Sequence, residues 1–292
     1  QTAIHNGWKL AYLKYGPEPA IREVGDLNGN LKNYYDKAYF DAGTISGFLS
    51  VWDTYRKLPG IPIFEAGFTG RCLLNAKQYL DYGRENDDRA TERALRIINS
   101  WCHETKKGFF KELWLVSNIE LIPLHFGIPV SQYFPFITPI QVSTRRQGEA
   151  LWALELAYEA EKERGIDHPL WEETIIENLD KLCEIQSEDG NFARVYYFDG
   201  REGDSNPGAT SAVVMTLTKG YELFGNARYL ECAKKSGDYI IKKVIAPVEY
   251  HGSTLDSNCE DKESATYALY SMRCLYEVDQ NEKWLKSAEL AA

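Results

Sequence analysis

Tyr221-Glu222-Leu223-Phe224-Gly225-Asn226-Ala227-Arg228-Tyr229-Leu230 and Tyr276-Glu277-Val278-Asp279-Gln280-Asn281-Glu282-Lys283-Trp284-Leu285 are two copies of one pattern. In each, a Tyr-Glu pair is followed, eight residues after the tyrosine, by an aromatic-Leu pair and then by Ala233 or Ala288. The two tyrosines lie 55 residues apart. A third copy starts at Tyr158-Glu159, 63 residues before Tyr221, and reaches Trp171 after a five-residue insertion. Self-similarity at this period marks a stacked supersecondary unit. Each unit reads as a helix, a short turn and a second helix, and such hairpins bury their apolar faces only against neighbouring hairpins.

Working outward from the repeat, apolar periodicity and end signals predict paired helices at about 66–83 and 87–103, 144–164 and 169–186, 209–224 and 227–244, and 261–278 and 281–292. A further helix is predicted from Tyr39 to Leu58, stopped by Pro59-Gly60. Residues 1–38 carry Gly, Asn, Pro and Tyr without helical periodicity and read as an irregular leader before a toroid domain at 39–292. Turns inside each pair are short, whereas 104–141, 187–208 and 245–260 are long, the first two rich in aromatics. That asymmetry predicts a toroid whose long loops gather on one face. The fold class expected is therefore all-α, an (α/α)6 barrel. The chain ends inside a predicted helix at Ala292, so the natural protein is expected to continue or the ring to be incomplete.

Composition narrows the function. Hydrophobic residues at 44% and charged residues at 26% are the mix of a globular chain. Aromatics reach 13%, with 19 Tyr and 7 Trp, more than a core alone requires and suited to a cleft that stacks on sugars. A net charge of −10 argues against nucleic acid, which is bound through Lys and Arg. No apolar run approaches the ~20 residues of a membrane span. The six cysteines have no metal-type spacing and are expected to be mostly free thiols. His103, His125, His168 and His251 form no ligand pattern, so neither a metal nor another cofactor is expected. The chain begins at Gln1 rather than Met, which fits removal of a leader or of a longer N-terminal region, and the compartment stays open between periplasm and cytoplasm.

Aligned on their tyrosines, the copies place equivalent residues at the start of each first helix. Fifteen positions earlier stand Ser143, Asn206 and Asp261, and nine earlier stand Glu149, Ala212 and Tyr267. Near that level lie Arg145, Arg146, Asp204, Glu260 and Glu263. In a ring of inner helices these starts share one end, where guanidinium groups and carboxylates would border a bowl. Asp261 and Asp204 also fit plain helix caps, and Arg145-Arg146 also fits a surface pair. Glu149 sits one turn into an apolar helix, and a carboxylate facing inward there needs a partner or a task.

Gln186…Asp189-Gly190-Asn191-Phe192, the Asn206-Pro207-Gly208-Ala209-Thr210 helix opening and Glu263-Ser264-Ala265-Thr266-Tyr267-Ala268 resemble the six-hairpin glycosidase-like toroids. The Ser-Ala-Thr stretch is similar to one in unsaturated glucuronyl hydrolases, although Glu260-Asp261-Lys262-Glu263 departs from the usual acidic-Ser-Ser pattern. The resemblance implies a glycoside hydrolase acting on an oligosaccharide that contains a uronic or other acidic sugar. Such chemistry needs one carboxylic acid and a second carboxylate. Asp261 or Glu260 is the expected acid, with Asp204 or Glu149 as its partner. Arg145 or Arg146 would hold a substrate carboxylate, and Trp114, Phe192, Tyr196 and Tyr197 would stack on sugar rings. A polysaccharide lyase using Tyr196, Tyr197 or His251, a sugar epimerase, and a non-catalytic carbohydrate-binding toroid are the alternatives.

Overall fold

The computed structural model describes residues 2–16, 27–50, 52–53, 58–59, 63–68, 71–116, 121–123, 141–253 and 259–292. The chain separates into two compact units, Gln1–Tyr34 and Tyr35–Ala292. In the first unit, α1 spans Thr2–Tyr15 and α2 starts at Leu27, running to Ala38. These stretches are helical rather than the irregular leader read from the sequence. α1 ends at Tyr15, just before Gly16-Pro17 in the sequence, and the mixed polar and aromatic content of the stretch hides the apolar period.

Residues expected to form a helix from Tyr39 to Leu58 instead form strands where they are described. β1 (Tyr39–Asp41) pairs antiparallel with β2 (Ser46–Phe48), and β3 (Trp52–Asp53) with β4 (Leu58–Pro59). The Asp41 carboxylate explains the first hairpin. Its Oδ1 accepts from Gly43 N at 3.0 Å and from the Ser46 hydroxyl at 2.8 Å. This local bonding offers the backbone an alternative to a helix, and Gly43 takes the left-handed φ of 84° that the turn requires.

Four helical hairpins follow. α3 (Cys72–Asn86) pairs with α4 (Asp88–His103), α5 (Thr144–Glu163) with α6 (Pro169–Ile185), α7 (Ser211–Phe224) with α8 (Ala227–Ile240), and α9 (Lys262–Asp279) with α10 (Glu282–Ala291). The first helix of each pair packs against the first helix of the next, giving an inner series α3, α5, α7, α9. Burial agrees with that layering, since every residue of α7 from Ser211 to Thr218 is buried. The outer helices α4, α6, α8 and α10 bury one face only, the pattern of a surface helix. Two-stranded and three-stranded sheets decorate the hairpins without entering the inner layer. β5 (Ile63–Glu65), β6 (Leu113–Val116) and β7 (Leu121–Pro123) form one antiparallel sheet. β8 (Gln141–Ser143), β9 (Val195–Tyr197) and β10 (Glu202–Asp204) form another, at the entrance to α5.

The repeat is reproduced in the register of the helices. Ser143, Asn206 and Asp261 are the residues that open α5, the 3-10 turn Pro207–Thr210 leading into α7, and α9. Tyr158, Tyr221 and Tyr276 stand near the C-terminal ends of the inner helices. Trp171, Tyr229 and Trp284 are each the third residue of an outer helix, and each is buried. The backbone N–H of each bonds the carbonyl of the residue before its helix: His168, Asn226 or Asn281, at 2.9–3.0 Å. Their polar tips all find acceptors: Trp171 Nε1 donates to Asn99 at 2.7 Å, Tyr229 to Asp180 at 3.2 Å, and Trp284 Nε1 to Asp279 at 2.8 Å. Close helix approach is bought with a missing side chain: a Cβ on Gly148 would meet Ala212 O at 2.2 Å.

A buried carboxylate in the inner layer is only half satisfied. Glu155 on α5 is 0% exposed, and its Oε2 accepts from Thr216 of α7 at 2.6 Å while Oε1 has no partner. Burial raises its pKa well above the usual carboxylate value. An acid held protonated in the fold but ionised when unfolded costs stability as pH rises above its ordinary value of 4.5. Glu155→Gln removes that titration. Thermal melts at pH 5 to 8 should show the parent losing stability relative to Glu155→Gln as pH increases. A gap that stays constant with pH would exclude a neutral Glu155.

Candidate functional site

A cavity of about 260 Å³ opens between the inner helices. Its wall includes Ala66, Gly67 and Arg71 from the segment before α3, Glu149 and Trp152 of α5, Met215 of α7, and Tyr267 and Tyr270 of α9. Trp152 and Tyr270 meet edge to face with ring centroids 6.1 Å apart, a favoured aromatic geometry.

Glu149 is the carboxylate of this wall, and all of its contacts are donors or cations. Oε1 accepts from Arg145 Nε at 2.9 Å and from the Tyr267 hydroxyl. Oε2 accepts from the Phe68 backbone N–H at 2.6 Å and lies 3.6 Å from Arg71 Nε. Arg145 is one helical turn earlier, 2% exposed, and its Nη1 donates to Glu263 of α9 at 2.7 Å. The guanidinium also packs 4.7 Å from the Phe68 ring and 5.0 Å from the Tyr267 ring, the geometry of a cation–π contact. Burial and the neighbouring Glu149 charge both raise the Tyr267 pKa, so the phenol keeps its proton and donates it.

The segment before α3 is shaped for this contact. Phe68 and Arg71 adopt left-handed φ values of 55° and 44°, uncommon for side chains of this size. A Cβ on Gly67 would lie 2.5 Å from Arg146 O, so only glycine lets the segment press onto α5. Arg146 holds it from behind: Nε donates to Glu65 at 2.8 Å, and Nη1 lies 3.6 Å from Glu112. Glu112 Oε1 in turn accepts from Ser143 N and from Gln147 Nε2. Burial raises the Glu112 carboxyl to about 7, against the opposing pull of Arg146. This second carboxylate–guanidinium cluster is packed behind the segment and is not part of the cavity wall.

Of the residues expected from sequence, Glu149 and Arg145 come together here. Arg146 faces Glu65 and Glu112 instead. Asp261 caps α9, its Oδ1 accepting from Glu263 N at 3.0 Å. Glu260 sits in an isolated bridge with His251, away from the cavity lining. Asp204 is paired with Arg194, which donates through Nε at 2.7 Å. Trp114, Phe192 and Tyr196 are corrections: their rings are buried in the protein core and present no face to a sugar. Tyr197 is half-buried beneath the Arg201 guanidinium at 4.3 Å. His125, Tyr133, Phe134 and Phe136 of the long aromatic connection lie outside the described residues.

Sequence reasoning missed Trp152, Tyr270 and Arg71 as lining groups, and did not assign Tyr267 a role. The signal for Tyr267 was in the repeat, which sets it level with Glu149 across Ala212. Trp152 is also legible in retrospect, three positions after Glu149 and so on the same helix face. Among the described residues, no group of three or more His, Cys, Asp or Glu could hold a metal, and no helix is long and apolar enough to cross a membrane.

No protein-family model matches the sequence, and no curated protein matches it. Solved structures do match in fold. A sugar epimerase from a ruminal bacterium superposes with TM-score 0.60 at 14% identity, covering 89% of this chain and 66% of that one. A family 76 α-mannanase of Bacteroides thetaiotaomicron gives 0.56 at 13% identity, covering 88% and 64%. The unsaturated glucuronyl hydrolase of Bacillus sp. GL1 gives 0.51 at 13%, covering 75% and 58%. The chain thus spans less than two thirds of the length of these structures. The shared architecture is an all-α toroid of helical hairpins, the fold expected from the repeat.

Removing one partner of a buried ion pair leaves the other charge uncompensated and typically costs 3–5 kcal/mol. Arg145→Leu should therefore destabilise the protein by about 3 kcal/mol or more in urea unfolding. Glu263 is 46% exposed, so Glu263→Gln should cost under about 1 kcal/mol. Equal costs for the two variants would show that Arg145 is not the buried centre of the cluster.

Proposed function

We propose that the cavity between the inner helices binds an acidic oligosaccharide and that the protein hydrolyses a glycosidic bond there. The observation that carries this reading is the Glu149 carboxylate set in a wall with the rings of Trp152, Tyr267 and Tyr270. Aromatic rings suit the flat apolar face of a sugar, and a carboxylate accepts from its hydroxyls. Arg71, 46% exposed at the same wall, offers a guanidinium to a uronate carboxylate.

Hydrolysis needs two carboxyl groups on the scissile bond. Glu149 and Glu263 are the pair assigned here, because both sit on the Arg145 guanidinium. Glu149, surrounded by donors, stabilises developing positive charge or activates water. Glu263, which shares Arg145 but is not among the residues lining the cavity, must leave that guanidinium and turn inward to deliver a proton to the leaving oxygen. The structural neighbours support a carbohydrate substrate: two are named as hydrolases, a mannanase and a glucuronyl hydrolase, and one as a sugar epimerase. The epimerase likeness and the Tyr267–Glu149 hydrogen bond favour, as a second reading, proton transfer on a sugar without bond cleavage.

The test is product analysis on uronate-containing oligosaccharides. Hydrolysis adds the mass of one water per bond cut. Epimerisation leaves mass unchanged, a lyase leaves an ultraviolet-absorbing unsaturated end, and a pure binder makes no product. Loss of a catalytic acid or base costs a factor on the order of 10²–10⁴, so Glu149→Gln should lower kcat by that much. Arg71→Ala should raise KM for acidic substrates and leave neutral ones little changed. Asp261→Asn, which keeps the cap, should turn over like the parent. Turnover by Glu149→Gln at the parental rate would overturn the assignment.

A further inference from the structure

The outer seam between α6 and α8 carries a pair of thiols that the cavity does not use. Three rungs cross this seam at the spacing of helix turns, from Asp180 and Cys183 on α6 and from Gln186 just past its end. At the first, Asp180 accepts from the Tyr229 hydroxyl at 3.2 Å and from Arg228 Nη1 at 3.4 Å. At the third, Gln186 Nε2 donates to Cys232 O at 2.8 Å and to the Ser236 hydroxyl at 2.9 Å. The middle rung is Cys183, whose Sγ reaches Arg228 O at 4.0 Å. Arg228 stands one helical turn before Cys232, on the same face of α8. The hydrogen-bonded rungs on either side thus hold Cys183 opposite Cys232 across the seam.

The two sulfurs are not equivalent. Cys183 is partly exposed and Cys232 is buried. The neighbouring Cys232 thiol and the Arg228 charge lower the Cys183 pKa. The neighbouring Cys183 and burial raise that of Cys232. An accessible thiol with more thiolate character beside a second thiol is the arrangement of an attacking and a resolving cysteine.

We propose that Cys183 and Cys232 form a reversible disulfide by exchange with a small-molecule disulfide, cross-linking α6 to α8. The Cys183 thiolate, its proton released to water, attacks one sulfur of the small disulfide. That S–S bond breaks, a mixed disulfide forms on Cys183, and one small thiolate leaves and takes up a proton. The Cys232 thiol then loses its proton and attacks the Cys183 sulfur, expelling the second small thiol. Two protein thiols are oxidised by two electrons, and one small disulfide is reduced to two thiols. The new bond encloses residues 184–231, which contain β9, β10 and α7. Oxidation therefore fastens the outer wall around one of the cavity-forming helices.

The experiment treats the full native chain with oxidised glutathione and maps its peptides without reduction. The expected product joins the Cys183 peptide to the Cys232 peptide, two hydrogens lighter than their sum. Its melting temperature should rise by about 5 °C, because a cross-link over a loop this long constrains the unfolded chain, and dithiothreitol should reverse the change. Cys232→Ser should stop at a mixed disulfide on Cys183, and Cys183→Ser should leave Cys232 unmodified. A parent that stops at the mixed disulfide, a bond between other cysteines, unreacted thiols, or a lowered melting temperature would each overturn the proposal.

Discussion

Burying a guanidinium is expensive unless its N–H groups find acceptors and its charge finds partners. Arg145 meets both conditions only because three elements converge on it. Glu149 comes from its own helix, Glu263 from α9, and the Phe68 ring from the segment before α3. The remaining geometry of the site follows from this centre. Glu149, drawn to Arg145, is fixed where it also accepts from Phe68 N and Tyr267. The strained backbone at Phe68 and Arg71 persists because the carboxylate and the Arg146 cluster hold it from two sides. Strain of this kind is stable only where its surroundings over-determine it.

Small residues make that convergence possible. Ala212 occupies on α7 the level that Glu149 occupies on α5 and Tyr267 on α9. Gly148 lets α5 and α7 approach until a methyl group would strike the Ala212 carbonyl. Packing and chemistry are thus set by the same rows: the alternation of large and small residues around one level decides which polar groups touch.

The fold was legible because the repeat fixes both period and register. Its tyrosines gave the helix ends, and counting back from them gave the openings at Ser143, Asn206 and Asp261. The strands at 39–65 were not legible, since their turn depends on the Asp41 side chain rather than on apolar spacing. In the site, Glu149 was readable as a charge in an apolar helix. Its neighbour Arg71 was not, because a single arginine in a loop has no register to align. The aromatic loops misled for a related reason: Trp114, Phe192 and Tyr196 signal burial as readily as binding, and here they are core.

Position along a helix separates the carboxylates that close the backbone from the one placed in the cavity wall. Asp261, at the N-cap, has an acceptor pointed at an orphan N–H of its own helix, the ordinary role of Asp at that place. Its geometry is satisfied locally and needs nothing from the rest of the ring. Glu149, one turn further in, has no such local donor beyond Arg145 and must be met by other helices. A carboxylate whose partners come from distant parts of the chain can be placed only by the tertiary fold. The field at this wall is set by local pairs, Arg71 and Arg145 against Glu149 and Glu263, rather than by the net charge of −10.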